Sequence, residues 1–165
     1  MKDGDKSFLF WLAVAVGSLA LFGGAGYVTY THFKQRGIRN NNPGNLRPSS
    51  DTWKGQSGVD NGINGPYLIF ESAEYGIRAL YKNLMTYRNK YNLITITGII
   101  NRWAPPSDKN DTPAYIAAVA KEIKKSATAT LSLSDYPALL KAIIKHENGI
   151  QPYPDATISA GIALA

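Results

Sequence analysis

The chain has 165 residues, with 18 Lys and Arg against 12 Asp and Glu and a formal charge of +6, enough for one domain and an appendage. It has no Cys and only two His, His32 and His146, far apart in sequence. That excludes disulfides, thiolate metal centres and a His-rich metal site, and neither a metal nor a cofactor is expected. A positive surface suits an anionic polymer: nucleic acid, anionic lipid or peptidoglycan.

Phe8 to Tyr30 is a run of 23 residues without a charge, long enough to span a bilayer core. Trp11 at one end and Tyr27 and Tyr30 at the other fit interfacial anchors. A secretory signal peptide normally has a shorter apolar core, so the run is expected to be an uncleaved single-pass transmembrane helix. Residues 1–36 then form the anchor and its flanks, and residues 37–165, at +4, form the domain. Lys34, Arg36 and Arg39 follow the span, which by the positive-inside rule faces the domain to the cytoplasm.

Residues 37–66 are rich in Asn and Gly, with turn chemistry throughout. The Asn-Gly pairs predict a hairpin, with Leu46 and Trp53 on short extended segments. The stretch is too polar for core and too aromatic for a linker, so it is expected to be an ordered loop region lining a cleft. Trp53 could stack on a sugar or cover the core.

Phe70–Tyr91 reads as a helix, with Ser72 as cap, Glu74 in its first turn and Ile77, Leu80, Leu84, Tyr87 and Tyr91 as its buried stripe. Ile96–Trp103 is a short helix stopped by Ala104-Pro105-Pro106, and Thr112-Pro113 opens another carrying Tyr115, Ile116, Val119, Ala120 and Ile123. A helix from Ser134 or Asp135 runs through Tyr136, Leu139, Leu140, Ile143 and Ile144 to Glu147. Gly149 is its left-handed stop, and a last short helix follows between Ile158 and Ala165. The fold class is therefore mainly α.

Glu147 extends the apolar face of its helix, whereas Lys141 and Lys145 point away. A carboxyl there must be paired, line a cleft or hold its proton, and a protonated acid is what glycosidic cleavage requires. The alternative is a solvated Glu at a frayed helix end.

Asn41-Asn42-Pro43-Gly44-Asn45-Leu46-Arg47, followed by Trp53-Lys54-Gly55, resembles the Asn-rich stretch of bacterial glucosaminidases of the lysozyme-like superfamily. Phe70-Glu71-Ser72, Tyr75-Gly76 and Trp103-Ala104-Pro105 with Tyr115 resemble later elements of those enzymes. Arg36–Asn45, Arg102–Pro106 and His146–Gly149 are similar to segments of small phage virion proteins. The resemblance, from Arg36 to Tyr153, implies a small lysozyme-like α (α+β) domain that degrades peptidoglycan during host cell-wall penetration. In the glucosaminidases the catalytic Glu precedes the Asn-rich stretch, where this chain has no acid. A circularly permuted domain would supply it as Glu147, which requires Gly149 to lie near Gly37.

The expected catalytic residue is thus Glu147. Asn42, Asn45, Trp53, Tyr67, Trp103 and Tyr115 are the expected sugar contacts, and Glu71, Asp108 and Asp111 the candidates for a second carboxylate. Expected partners are peptidoglycan strands, the lipid bilayer and other virion proteins, with a virion membrane or host inner membrane as the location. The rival readings are a non-catalytic virion membrane protein with a glycan-binding module and a tethered nucleic-acid binder. The basic residues are scattered and form no recognisable binding motif, so no specific nucleic acid is expected.

Overall fold

The protein is represented by a computed structural model that describes residues 35–62 and 65–165. Among the described residues, six helices and one hairpin follow in order: α1 (Arg36–Arg39), β1 (Gln56–Asp60), β2 (Tyr67–Phe70), α2 (Ala73–Tyr91), α3 (Ile96–Trp103), α4 (Thr112–Ile123), α5 (Tyr136–Asn148) and α6 (Asp155–Ala163). Short 3₁₀ turns lie at Pro106–Asp108 and Leu133–Asp135. The two strands are antiparallel, with Asp60 opposite Tyr67 and an irregularity between Gln56 and Gly58.

The membrane anchor is corrected. Among the described residues no helix is long and apolar enough to cross a membrane, and Phe8–Tyr30 lies outside the described residues. The placement as a single-pass protein of a virion or host membrane goes with it. The boundary expected at residue 37 falls inside α1.

Helix ends follow local chemistry. The Thr95 hydroxyl accepts from the Gly98 N–H (3.1 Å) at the start of α3, and Asp111 Oδ1 accepts from the Ala114 N–H (3.0 Å) at the start of α4. Pro113 and Pro137 sit in first turns, where a missing N–H costs nothing. Gly149 ends α5 at φ +71°.

The main core is built from Ile77, Leu80 and Leu84 of α2, Ile96, Ile99 and Ile100 of α3, Val119 of α4 and the Leu139, Leu140, Ile143 and Ile144 stripe of α5. Ile158 of α6 closes it where that helix packs along α2. A second cluster, Leu46, Leu68, Phe70 and Ala79, joins the hairpin to α2 with Trp53 and Tyr75 laid over it. Trp103 touches both clusters, which places its ring between the hairpin half and the helical half.

Phe70, expected at the head of a helix, instead ends β2, where Leu68 and Phe70 point into the core. Leu46 and Trp53 lie in loop rather than on strands. The Asn-rich loop is held against α2 at Gly76, where an added Cβ would overlap the Asn41 carbonyl and Pro43. Gly76→Ala meets backbone that cannot yield. Overpacking costs about 1–3 kcal/mol, and the helical propensity of Ala returns at most about 1 kcal/mol. A net loss of about 2 kcal/mol is expected in urea denaturation. Unchanged stability would mean that the loop is not clamped there.

Candidate active site

Each Asn of the loop has a distinct task. Asn41 and Asn45 take left-handed backbone (both φ 51°), which Asn tolerates better than most residues. The Asn40 side chain donates to Asp60 Oδ2 (2.9 Å) and that of Asn41 to the Phe70 carbonyl (3.0 Å), stitching the loop to the hairpin. Asn42 is fully buried. Its amide donates to the Leu46 and Leu68 carbonyls and accepts from the Leu46 N–H, all at 2.9 Å. Asn45 reaches α5, donating to the Glu147 carbonyl (3.3 Å) and to Glu147 Oε2 (3.2 Å).

Asn148 makes the reverse connection. Buried beside Glu147, it donates to the Pro43 carbonyl (2.8 Å) and the Ile144 carbonyl (2.9 Å). Gly37 packs against the side chains of Asn148 and Asn45, so the end of α5 lies beside the start of the loop.

Glu147 is half-buried and accepts three side-chain hydrogen bonds. Trp103 Nε1–H and the Tyr115 hydroxyl both donate to Oε1 at 2.9 Å, and Asn45 donates to Oε2. Tyr115 is 3% exposed. Burial, and then the charge of Glu147, push its phenol well above the usual range, so it remains an O–H donor. His146 stacks on its ring at 3.5 Å and 16°, and partial burial draws the imidazole below its ordinary value.

A cleft of about 390 Å³ opens over this carboxyl. The loop lines it with Gly44–Arg47, β2 with Tyr67, α2 with Asn83 and Tyr87, and α3 with Trp103. Asp108 and Asn110, from the turn after α3, complete its lining with Glu147. Among the described residues no three His, Cys, Asp or Glu side chains come together as a metal site.

The predicted residues therefore separate. Glu147, Asn45, Tyr67 and Trp103 share the cleft, and Tyr115 supports Glu147 from the buried side rather than reaching a sugar. Asn42 cannot be a sugar contact, because its amide is enclosed and fully engaged with backbone. Trp53 covers the second core cluster and is not part of the cleft wall. Of the second-carboxylate candidates, Asp108 lines the cleft, Asp111 caps α4, and Glu71 is an exposed residue past β2. Sequence reasoning passed over Arg47, Asn83, Tyr87 and Asn148. Of these, Tyr87 follows the helical period of Leu80 and Leu84; it packs against the main core as that period predicts, and it lines the cleft as well.

No protein-family model matches the chain. It is 39% identical over 145 residues to Protein P5 of Pseudoalteromonas phage PM2, covering 86% of this chain and 89% of that protein. The chain belongs to the Protein P5 family. The phage context expected from the Asn-rich and His-Glu-Asn-Gly elements follows from this kinship.

Proposed function

We propose that this member of the P5 family cleaves β-1,4 glycosidic bonds in the glycan strands of peptidoglycan, serving a phage particle in penetrating the host cell wall. One observation carries the reading: the Trp103 indole, the Tyr115 hydroxyl and the Asn45 amide converge on a single carboxyl at an aromatic-lined cleft. A solvated Glu at a frayed helix end would have no such fixed surroundings. The likeness of the loop and of Trp103-Ala104-Pro105 to peptidoglycan glucosaminidases supports the same substrate.

In this mechanism Glu147 is the general acid. Two donors already occupy Oε1, so the transferable proton belongs on Oε2. It passes to the glycosidic oxygen as the C1–O bond breaks, with the electron pair leaving on that oxygen. The resulting carboxylate then takes the proton of the sugar's own 6-hydroxyl as that oxygen closes on C1, leaving an anhydro end. Tyr67 and Tyr87 bring aromatic side chains to the cleft wall, and Asn83 and Asn110 offer amides.

Mass analysis of peptidoglycan digested by the purified protein tests the proposal. Muropeptides with anhydro ends are expected. Reducing ends would transfer the second step to water, with Asp108 as the carboxylate at hand. Glycan that is bound yet uncut would overturn the enzymatic reading in favour of a glycan-binding module.

A further inference from the structure

From Tyr75 to Ser107 the chain has no Asp or Glu, yet it carries Arg78, Lys82, Arg88, Lys90 and Arg102. Three of these are engaged with backbone. Arg78 donates to the Leu164 carbonyl (2.9 Å), Lys82 to that of Ala165 (3.4 Å) and Arg88 to that of Leu131 (2.8 Å). Lys90 and Arg102 differ. Both are exposed, and among the described residues neither makes a hydrogen bond or an ion pair. Instead they share one ring: the Arg102 guanidinium lies 3.8 Å from the Tyr91 centroid, and Lys90 Nζ lies 5.6 Å from it.

These two cations adjoin the cleft. Arg102 also lies 5.2 Å from the centroid of Tyr87, which lines the cleft together with Trp103, the chain neighbour of Arg102. Asn83, Tyr87 and Tyr91 are four residues apart on α2 and share one face. Tyr91 therefore stands one turn, about 6 Å, beyond the cleft-lining Tyr87. The acids Glu147 and Asp108 lie within the cleft, and the cations lie at its outer end. A neutral glycan has no use for such cations. In peptidoglycan, alternate sugars carry a lactyl ether ending in a carboxyl, either free or extended by an acidic peptide. A guanidinium binds a carboxylate with two parallel hydrogen bonds, and one already laid flat on a ring gives up less freedom in doing so.

We infer that Arg102, braced on Tyr91, binds a carboxylate of the muramoyl arm at the outer end of the cleft and so sets which of the two alternating bonds lies over Glu147. The inference rests on the glycan-cleaving reading proposed above. The ligand is a carboxylate, whether on the lactyl group or on the stem peptide, and Lys90 adds to the field that attracts it.

The test compares the full chain with Arg102→Gln and Arg102→Lys on three substrates: intact peptidoglycan, the same glycan stripped of stem peptides, and the stripped glycan with its carboxyls reduced to alcohols. Arg102→Gln should lower kcat/KM about tenfold, mainly through KM, on carboxylate-bearing glycan. A penalty on intact glycan only assigns the stem peptide, whereas one on stripped glycan assigns the lactyl group. On reduced glycan the penalty should vanish, and Arg102→Lys should recover part of the loss. An equal loss on all three substrates would mean that Arg102 only holds Tyr87 and Tyr91 in place. That result, or no loss on any substrate, would overturn the inference while leaving glycan cleavage standing. A parent protein that cuts none of them would overturn both.

Discussion

Glu147→Gln is expected to lower glycan cleavage by about 10²–10⁴-fold, the range that a general acid contributes, without unfolding the domain. The substitution keeps shape and volume. The Gln carbonyl can still accept from Trp103 and Tyr115, which now donate to Oε1. What changes is the other edge: the new amide faces the donating Asn45, so one partly exposed hydrogen bond is lost. Such a bond is worth about 0.5–1.5 kcal/mol, small beside a core already closed by α2, α3 and α5. A zymogram should lose its clearing zone while the melting temperature moves by only a few degrees. Undiminished clearing would remove Glu147 from the mechanism, and with it the proposed function.

Asn42→Ala should have the opposite profile, with a large loss of stability and little direct effect on substrate affinity. Asn42 is fully buried and makes three hydrogen bonds to backbone. Truncation leaves the Leu46 N–H, and the Leu46 and Leu68 carbonyls, each one partner short in a closed interior. Unsatisfied buried groups cost about 1–3 kcal/mol apiece. The Leu46 carbonyl keeps a second donor in the Leu68 N–H (2.9 Å), so the sum settles at about 2–4 kcal/mol. In a domain of this size that lowers the melting temperature by on the order of 10 °C. Below the transition, KM for glycan should hold, because Asn42 is not in the cleft wall. A stable variant with a raised KM would return Asn42 to the role of sugar contact.

These two residues mark where reading from sequence succeeded and where it stopped. The period of Leu139, Leu140, Ile143 and Ile144, with Gly149 behind, is enough to place Glu147 at the end of a core-facing helix, and α5 ends there. The Thr112-Pro113 start and the Ala104-Pro105-Pro106 stop were equally legible, because proline and caps act within a few residues. The loop was not. A run of Asn announces turns, but the same side chain can cap a backbone group, tolerate left-handed φ or bind a ligand. Asn42 and Asn45 differ only in what lies beside them. The four-residue strand β2 was also hidden, its alternation too brief to stand out from the helix that follows.

The helical period, the helix ends, the lack of cysteine and one acid on an apolar stripe can all be read from the residues in order, because each is a property of neighbours along the chain. It took the packed fold to show that Trp103, Tyr115 and Asn45, separated from Glu147 by 44, 32 and 102 residues, meet at its carboxyl. The fold also decided that Trp53 packs on core and that Arg47 stands over the cleft. The physical reason is that hydrogen bonds and packing act over a few ångströms in space, and a local pattern carries no record of which distant segments will be brought that close.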